Sequence, residues 1–311
     1  MMFIISCDNE IHLKQINTEV SLSIEQLPDS SYISEVSSMH YFEKNLIACL
    51  YGRSQFVRLN NDLEFLNYIG REGRASNELM YVSSFICKDD TIITMDMSDQ
   101  FKFFTKDGLY IRSIKVNAYR PVTRLYCYHD NNFIFSTGKE IPMVHINVNN
   151  NISKEFGEPI LFDNVTQTKN RNCRLLLNNG NDIISLSDNK PIIEIYDEKT
   201  LSLLYSFDYS KIDIVSDQLK YASNQTIADN QYIRLVKYAD YHDGKLYILI
   251  SHNSNNISNS NNIISFDLYQ DCKPIAIYKL PGLVYESFCI GDDCIYAYNS
   301  VNSIIEKVIP K

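Results

Sequence analysis

A repeated hairpin constrains this chain more than any other feature of its sequence. Residues 84–93, SFICKDDTII, align without a gap to residues 287–296, SFCIGDDCIY. Each copy is typical of an apolar strand, a turn with two aspartates and a second apolar strand. Looser copies are YFEKNLIACL, YHDNNFIFST, LLNNGNDIISLS and YHDGKLYILI, which makes six in all. Equivalent turn positions recur at intervals of 41 to 63 residues, close to the length of one β-propeller blade.

Two further strands follow most of these hairpins. The third strands are SQFVRLN, DQFKFFT, PMVHINV, PIIEIYD, NNIISFD and NSIIEKV. In five copies a fourth segment of strand composition comes next, such as LEFLNYI or PIAIYKL. Four short antiparallel strands make one propeller blade. The sequence therefore predicts an all-β fold, a six-bladed β-propeller with four-stranded antiparallel blades.

The sixth copy has no fourth strand, because the sequence ends at Lys311 soon after the third. Residues 11–24, IHLKQINTEVSLSI, have strand composition and precede the first copy. We expect them to form the outer strand of the last blade, closing the ring and covering backbone groups that would otherwise be exposed at a sheet edge. This predicts a tether over residues 1–10, the remnant of a lipoprotein signal, and a single propeller domain over residues 11–311.

Two insertions interrupt the repeat, and loops of this kind usually carry the specificity of a rigid β scaffold. Residues 209–232 are predicted to contain a short helix around residues 214–222. Residues 251–262, SHNSNNISNSNN, are polar and of low complexity. Because they contain little that can be buried, we expect a mobile loop there and not a binding site.

The first ten residues, MMFIISCDNE, contain a short apolar run that ends in Ile-Ile-Ser-Cys. This pattern resembles the segment around the lipidated cysteine of bacterial lipoproteins, so Cys7 is predicted to carry the lipid. Acyl chains on the thioether and on the amine would together give stable membrane attachment. Only six residues precede Cys7, fewer than a full signal peptide contains, and the alternative is an ordinary thiol in a frayed terminus. No segment approaches the roughly 20 apolar residues of a membrane-spanning helix.

Charge and cysteine spacing exclude several functional classes. The net charge of −9 and the lack of a Lys and Arg stripe argue against a nucleic-acid partner. The eight cysteines are scattered, and most lie in apolar runs, where a thiol behaves as a small core side chain. Cys289 and Cys294 flank a turn and are the one pair placed for a disulfide across a hairpin, although the overall pattern favours thiols. No zinc-ligand spacing and no cofactor motif occur.

Residues 68–81, YIGREGRASNELMY, resemble the Ile-Gly-x-x-Gly-x-Gly-Pro-Gly-Glu-Phe segment of TolB-like six-bladed propeller lipoproteins from Bacteroidetes-type bacteria. Gly70, Gly73 and Glu78 match that segment, whereas Ala75-Ser76-Asn77 stands in place of its Gly-Pro-Gly. The resemblance implies a propeller fold and a location in the cell envelope, as an outer-membrane lipoprotein facing the periplasm or the surface. It implies no settled activity, because many members of the family have no known function.

The same segment would join the outer strand of one blade to the inner strand of the next, on the face where propeller ligands usually bind. Arginine there can hold an anion in a bidentate fork, with glutamates orienting it. The loop NAYRPVTR would add side chains to the same face. The predicted ligand-binding residues are Arg71, Glu72, Arg74, Glu78, Tyr119, Arg120 and Arg124. The alternative is that the arginines and glutamates pair with one another and tie neighbouring blades together.

Three functions remain open on these grounds. The first is a non-catalytic, monomeric binding propeller of the envelope whose partner is a protein, a glycan or a small anionic ligand. The second is a propeller enzyme, a lyase or hydrolase, with its site at the central channel. The third is a ligand-sensing domain. No nucleophile elbow, phosphate loop or HExxH motif occurs, and the turn histidines His129 and His242 occupy equivalent repeat positions, which favours a structural role for them.

Overall fold

The computed structural model describes residues 10–115, 123, 125–137, 139–149, 152–162, 165–228, 231–254 and 257–311. These residues form 24 β-strands and two α-helices. The strands are β1 Lys14–Ile24, β2 Val36–Phe42, β3 Asn45–Leu50, β4 Gln55–Asn60, β5 Phe65–Ile69, β6 Phe85–Lys88, β7 Thr91–Met95, β8 Gln100–Thr105, β9 Tyr110–Lys115, β10 Cys127–His129, β11 Asn132–Ser136, β12 Met143–Asn147, β13 Ile152–Phe156, β14 Arg174–Asn178, β15 Asp182–Ser187, β16 Ile192–Asp197, β17 Leu203–Asp208, β18 Val236–His242, β19 Lys245–Ser254, β20 Ile257–Asp267, β21 Lys273–Lys279, β22 Tyr285–Ile290, β23 Ile295–Asn299 and β24 Ile304–Pro310. The helices are α1 Val165–Arg171 and α2 Asp213–Ser223.

The repeated hairpins form where the sequence places them, because their turn residues tolerate left-handed backbone. Asp89, Asp130, Asn131 and Asp243 have φ between 45° and 62°. Aspartate, asparagine and glycine adopt this conformation at lower cost than other residues. The aspartates of these turns are therefore explained by local chain reversal.

Four antiparallel sheets of four strands follow one another along the chain, in the orders β2-β3-β4-β5, β6-β7-β8-β9, β10-β11-β12-β13 and β14-β15-β16-β17. Their second and third strands are almost wholly buried, as in β8, where four consecutive residues are inaccessible. Burial on both faces is expected where sheets pack against sheets. The prediction of an all-β propeller with four-stranded antiparallel blades is confirmed.

The prediction of six blades closed by an N-terminal strand is wrong. The remaining strands form one sheet of eight, in the order β18-β19-β20-β21-β1-β24-β23-β22. Strand β1 pairs with two strands in succession. Its residues Lys14–Asn17 pair in parallel with β21, and Thr18–Ile24 pair antiparallel with β24. Its 11 residues span about 36 Å, enough for two partners in succession. Because β1 joins these neighbours, no separate four-stranded last blade exists.

The two insertions have different outcomes. The helix predicted around residues 214–222 is confirmed by α2. The mobile loop predicted over residues 251–262 is wrong, since β19 and β20 continue their pairing through it, with His252 opposite Asn259. The backbone N–H of Asn253 also donates to Gln218 of α2 at 2.8 Å. Polar side chains can line a strand when its backbone is paired and a neighbouring helix covers it.

Aromatic side chains pack one sheet against the next. The rings of Phe101 on β8 and Phe133 on β11 stack with centroids 3.5 Å apart and planes within 11°. Tyr126 packs beside them, and its hydroxyl donates to the carbonyl of Ile93 at 3.1 Å. These contacts join sheets that are not connected by backbone hydrogen bonds. Large buried rings supply much of the apolar area in such interfaces.

A buried ion pair attaches the β5–β6 connection to the second sheet. Lys102 Nζ lies 2.8 Å from an Asp96 carboxylate oxygen, and the two side chains are 3% and 0% exposed. Lys102 also donates to the carbonyl of Glu78, and Asp96 accepts from the backbone N–H of Met80 at 3.2 Å. The pair therefore fixes the end of the segment that contains the predicted Arg and Glu residues.

Replacing Lys102 by methionine should destabilise the protein strongly, because the Asp96 carboxylate would stay buried without its cation. Breaking such a pair from one side typically costs about 3 kcal/mol or more. Urea denaturation measures the loss. Lys106→Met is the matched control, because Lys106 pairs with Glu43 and Asp90 at the exposed surface, and we expect a much smaller effect there. Equal losses in both variants would contradict the stabilising role of the buried pair.

Candidate functional site

A concavity in the described part of the chain, here called the central pocket, has a volume of about 410 Å³. It is formed where β2, β6, β10, β14, β18 and β22 end. Each of these is the first strand of a repeated hairpin, and β2, β6, β18 and β22 also pack side by side. The lining residues are His40, Tyr41, Phe42, Ile86, Cys87, Lys88, Tyr126, Cys127, Tyr128, His129, Leu177, Asn178, Gly180, Asp240, Tyr241, His242 and Ile290. Histidine, tyrosine, lysine and aspartate side chains thus converge on one cavity.

One wall of the pocket holds an oriented histidine. His129 Nδ1 lies 2.9 Å from one carboxylate oxygen of Glu198, which belongs to the β16–β17 turn. The other oxygen of Glu198 accepts from Asn178 Nδ2 at 3.2 Å. The Glu198 side chain is only 10% exposed, whereas that of His129 is 37% exposed. A carboxylate behind an imidazole fixes the ring. The other nitrogen of His129, Nε2, lies 3.6 Å from a carboxylate oxygen of the exposed Asp130.

Asp240, on β18, is the second polar group of the pocket with a perturbed environment. Burial raises the pKa of its carboxyl to about 7, and the backbone N–H groups of Ile290 and Tyr241 only partly offset this. The Ile290 N–H donates to Asp240 Oδ2 at 2.8 Å. The group therefore changes charge near neutral pH, which is unusual for an aspartate. A strongly shifted carboxyl in a cleft is a recognised mark of a functional site.

Three further titratable groups of the pocket, those of His40, Cys87 and Cys127, are neutral at physiological pH. Burial lowers the pKa of His40 to about 4, and its Nε2 hydrogen-bonds the carbonyl of Phe85 at 2.8 Å. Burial also raises the pKa of the Cys87 and Cys127 thiols. These three side chains therefore shape the pocket and contribute no charge.

Lys88 supplies positive charge to the pocket. Its ammonium lies 6.0 Å from the centroid of the Tyr128 ring. No carboxylate of the described residues lies within ion-pair distance of it, in contrast to Lys102 and Lys106. A half-buried ammonium without a counter-ion is an attractive position for an anionic group.

The structure brings two of the predicted ligand-binding residues together. Arg71 Nη2 lies 2.9 Å from a carboxylate oxygen of Glu78, and Glu78 also accepts from the Ala75 backbone N–H at 2.9 Å. That backbone hydrogen bond, followed by the charge of Arg71, lowers the pKa of Glu78. The Arg71 side chain is 69% exposed. The pairing is within one loop and does not by itself reach a neighbouring blade.

The predicted site and the central pocket do not share residues. Arg71, Glu72, Arg74 and Glu78 precede the start of β6, whereas the pocket is lined by the last residues of that strand. Tyr119, Arg120 and Arg124 lie outside the described residues, as does Cys7. The assignment of these seven side chains to a ligand stays a prediction.

Sequence analysis did not identify the pocket residues, although a signal for them is present. Tyr128-His129 and Tyr241-His242 directly precede equivalent hairpin turns, and Tyr41 has the same position in the first hairpin. Residues at one position of a radial repeat come to lie at one height around its centre. The repeated Tyr-His pairs therefore indicated that these side chains lie close together at the centre of the repeat. Asp240 and Lys88 stand alone in their repeats and carried no such signal.

Three features that could have indicated a function or a location are absent from the described residues: a metal-binding cluster, a membrane-spanning helix and a disulfide. These residues contain no group of three or more His, Cys, Asp and Glu side chains that could hold a metal ion. None of their helices is long and apolar enough to cross a membrane. Cys289 and Cys294 are both thiols, so the disulfide considered across that hairpin does not form.

Comparison with known proteins finds the same architecture at very low sequence identity. No protein-family model and no curated protein matches the chain. A protein of Bacteroides fragilis described as a "putative exported protein" is similar over 97% of this chain and 100% of its own, with 14% identity and a TM-score of 0.62. A member of the DUF4221 family from Bacteroides vulgatus is similar over 96% and 99%, with 13% identity and a TM-score of 0.57.

A third similar structure is the β-propeller domain of Cps50 (Swd1) from Myceliophteria thermophila. The similarity covers 94% of this chain and 99% of that domain, with 9% identity and a TM-score of 0.52. At such identities the likeness concerns the fold and not the function. The chain therefore has a propeller-type fold that it shares with two Bacteroides proteins, and its membership of the TolB-like lipoproteins stays a prediction.

Proposed function

We propose that this chain is a non-catalytic ligand-binding propeller of the bacterial cell envelope, and that a small polar ligand binds in its central pocket. The observation that carries the proposal is the convergence of His129, Asp240 and Lys88 on one cavity of about 410 Å³. This volume is within the range of small-molecule sites, about 300–1,000 Å³. Polar groups from separate strands at the end of a rigid scaffold favour a ligand that makes several directed hydrogen bonds.

Blocking the pocket should abolish ligand binding. Leu177 lines the cavity, and Leu177→Trp would place a large ring in it. A ligand at about 100 times its dissociation constant stabilises the folded state by about 2.7 kcal/mol, which a thermal-shift screen detects. We expect compounds that stabilise the wild type to have no effect on Leu177→Trp.

The matched control is Leu204→Trp, because Leu204 lies on the outer strand β17 and is 52% exposed. Its response to ligands should equal that of the wild type. A compound that stabilises Leu177→Trp as well would place binding elsewhere, and Arg71→Ala then tests the predicted loop site. A broad library that stabilises neither the wild type nor Leu204→Trp would contradict the proposal.

Asp240 supports the proposal because its position costs stability. A carboxyl whose pKa rises from 3.8 to about 7 on folding disfavours the folded state once it ionises. This penalty is absent below about pH 4, increases as the pH rises to about 7, and is constant above that. Groups held at a cost to stability are characteristic of functional sites.

Asp240→Asn should therefore stabilise the protein at pH 8 by about 2–4 kcal/mol, with a difference close to zero at pH 4. The asparagine keeps an oxygen that can accept from the Ile290 N–H. Urea denaturation of both proteins across pH 4–8 measures the difference. A variant that is less stable than the wild type at pH 8 would contradict the buried, ionising state of Asp240.

Attachment to the envelope through Cys7 is the second part of the proposal. It is supported by the Ile-Ile-Ser-Cys pattern and by the structural likeness to the Bacteroides fragilis protein that is described as exported. Lipidation makes Cys7 the residue on which membrane attachment depends.

Cys7→Ser should shift the protein from the membrane fraction to the soluble fraction of expressing cells and remove its labelling by a fatty-acid analogue. Cys173→Ser is the control, because that cysteine is part of the folded domain. Equal labelling of Cys7→Ser and the wild type would contradict the anchor.

A propeller enzyme is the second candidate function, and one arrangement favours it. His129 is oriented by Glu198, and Asp240 remains protonated up to about neutral pH in the same pocket. A base and an acid on different walls are the minimum for hydrolysis or elimination. Mass spectrometry of a bound ligand after incubation distinguishes the two functions, since a binding protein returns it unchanged.

A further inference from the structure

We propose that the ligand of the central pocket is a small carboxylate that also carries hydroxyl groups, such as a sugar acid, with its carboxylate on Lys88. Its hydroxyl groups would be held by Asp240 and His129. The inference rests on the proposed function, because it names the ligand class of the same pocket. It follows from the charged side chains that line the cavity and from the partners that each of them has.

Lys88 is the cation available to such a ligand. It is half-buried at the end of β6, where its ammonium faces the Tyr128 ring, and no carboxylate of the described chain pairs with it. Elsewhere Lys102 and Lys237 have carboxylate partners at 2.8 and 3.1 Å. A partly desolvated ammonium gains more from an anionic ligand than one that is already paired.

The carboxylates near the pocket are engaged by other groups, and Asp130 lies 3.6 Å from His129 Nε2. Both oxygens of Glu198 are occupied, by His129 and by Asn178. Asp240 is uncharged below about pH 7, because burial disfavours its ionised form. No carboxylate of the described residues lies within ion-pair distance of Lys88, so its ammonium can attract an anion, although the chain as a whole carries a net charge of −9.

The remaining lining groups suit hydroxyls and a ring. A protonated Asp240 can donate one hydrogen bond and accept others. The second nitrogen of His129 lies 3.6 Å from an Asp130 carboxylate oxygen, beyond hydrogen-bond distance, and can bond a hydroxyl. The rings of Tyr128 and Tyr241 line the same cavity and provide apolar faces with polar edges. A polyhydroxylated ring with one carboxylate matches this combination better than an apolar or a cationic molecule does.

The pH dependence of binding follows from the surroundings of Asp240. The titratable groups that interact with it are the Cys289 thiol and the Tyr247 hydroxyl, and the cavity that it lines also contains Lys88 and the imidazoles of His40, His129 and His242. Once Asp240 ionises, its negative charge repels a carboxylate in the same cavity. Affinity for the acid should therefore fall as the pH rises through about 7, and affinity for an uncharged sugar should not.

Isothermal titration calorimetry with glucuronate, galacturonate and their neutral parent sugars tests this inference. The wild type should bind at least one acid about tenfold more tightly than its parent sugar at pH 6. Lys88→Met should lower affinity for the acid by about 10- to 100-fold and leave the neutral sugar unaffected. Lys88→Arg, which keeps the charge, should retain most of the affinity. Asp240→Asn should remove the dependence on pH.

Lys245→Met is the control for net charge, because Lys245 is exposed beside the next hairpin turn and outside the pocket. It should bind as the wild type does. Equal affinity for acids and neutral sugars, or an acid affinity that Lys88→Met leaves unchanged, would overturn the ligand class while the proposed function stood. If neither the acids nor the neutral sugars bind, the ligand class is also overturned. The library screen with Leu177→Trp then decides separately whether the pocket binds any ligand.

Discussion

The backbone pairing of β1 with two strands in succession is the constraint on which the arrangement of the sheets depends. A strand at a sheet edge leaves a row of unpaired N–H and C=O groups, which favours aggregation. Most β1 side chains are exposed, so little apolar burial holds the strand in place. It is held instead by pairing with β21 over its first residues and with β24 over the rest. The beginning and the end of the described chain are thereby joined in one sheet.

Convergence of the hairpins produces a pocket and also brings polar side chains close together inside it. The first strands of the hairpins bring their last residues to one place, so any polar side chain there meets others from distant parts of the sequence. His129, Lys88 and Asp240 come from three different strands and are up to 152 positions apart. Glu198 hydrogen-bonds His129 and holds its ring in place, whereas Lys88 has no carboxylate within ion-pair distance among the described residues.

Sequence patterns predicted the local elements far better than the way in which they assemble. The hairpins, the four-stranded sheets and helix α2 were predictable, because turn chemistry and apolar runs act over a few residues. The number of blades was not predictable, since it depended on whether β1 pairs with one strand or with two. Residues 251–262 were misassigned for a related reason: their polar composition says nothing about backbone pairing with β20 or contact with α2. The pocket residues were obscured because Tyr-His pairs before a turn also have a structural explanation.

The amino-acid sequence by itself determined the β class of this protein, the period of its repeat and the position of its turns. These properties follow from side-chain pattern and local backbone preference, which need no distant partner. Only the tertiary structure decided that β1 joins two groups of strands and that Arg71 is paired with Glu78 in its own loop. It also decided that Asp240 and Lys88, which are far apart in sequence, line one cavity. Those facts depend on burial and on contacts between residues far apart in sequence, and no local pattern encodes either.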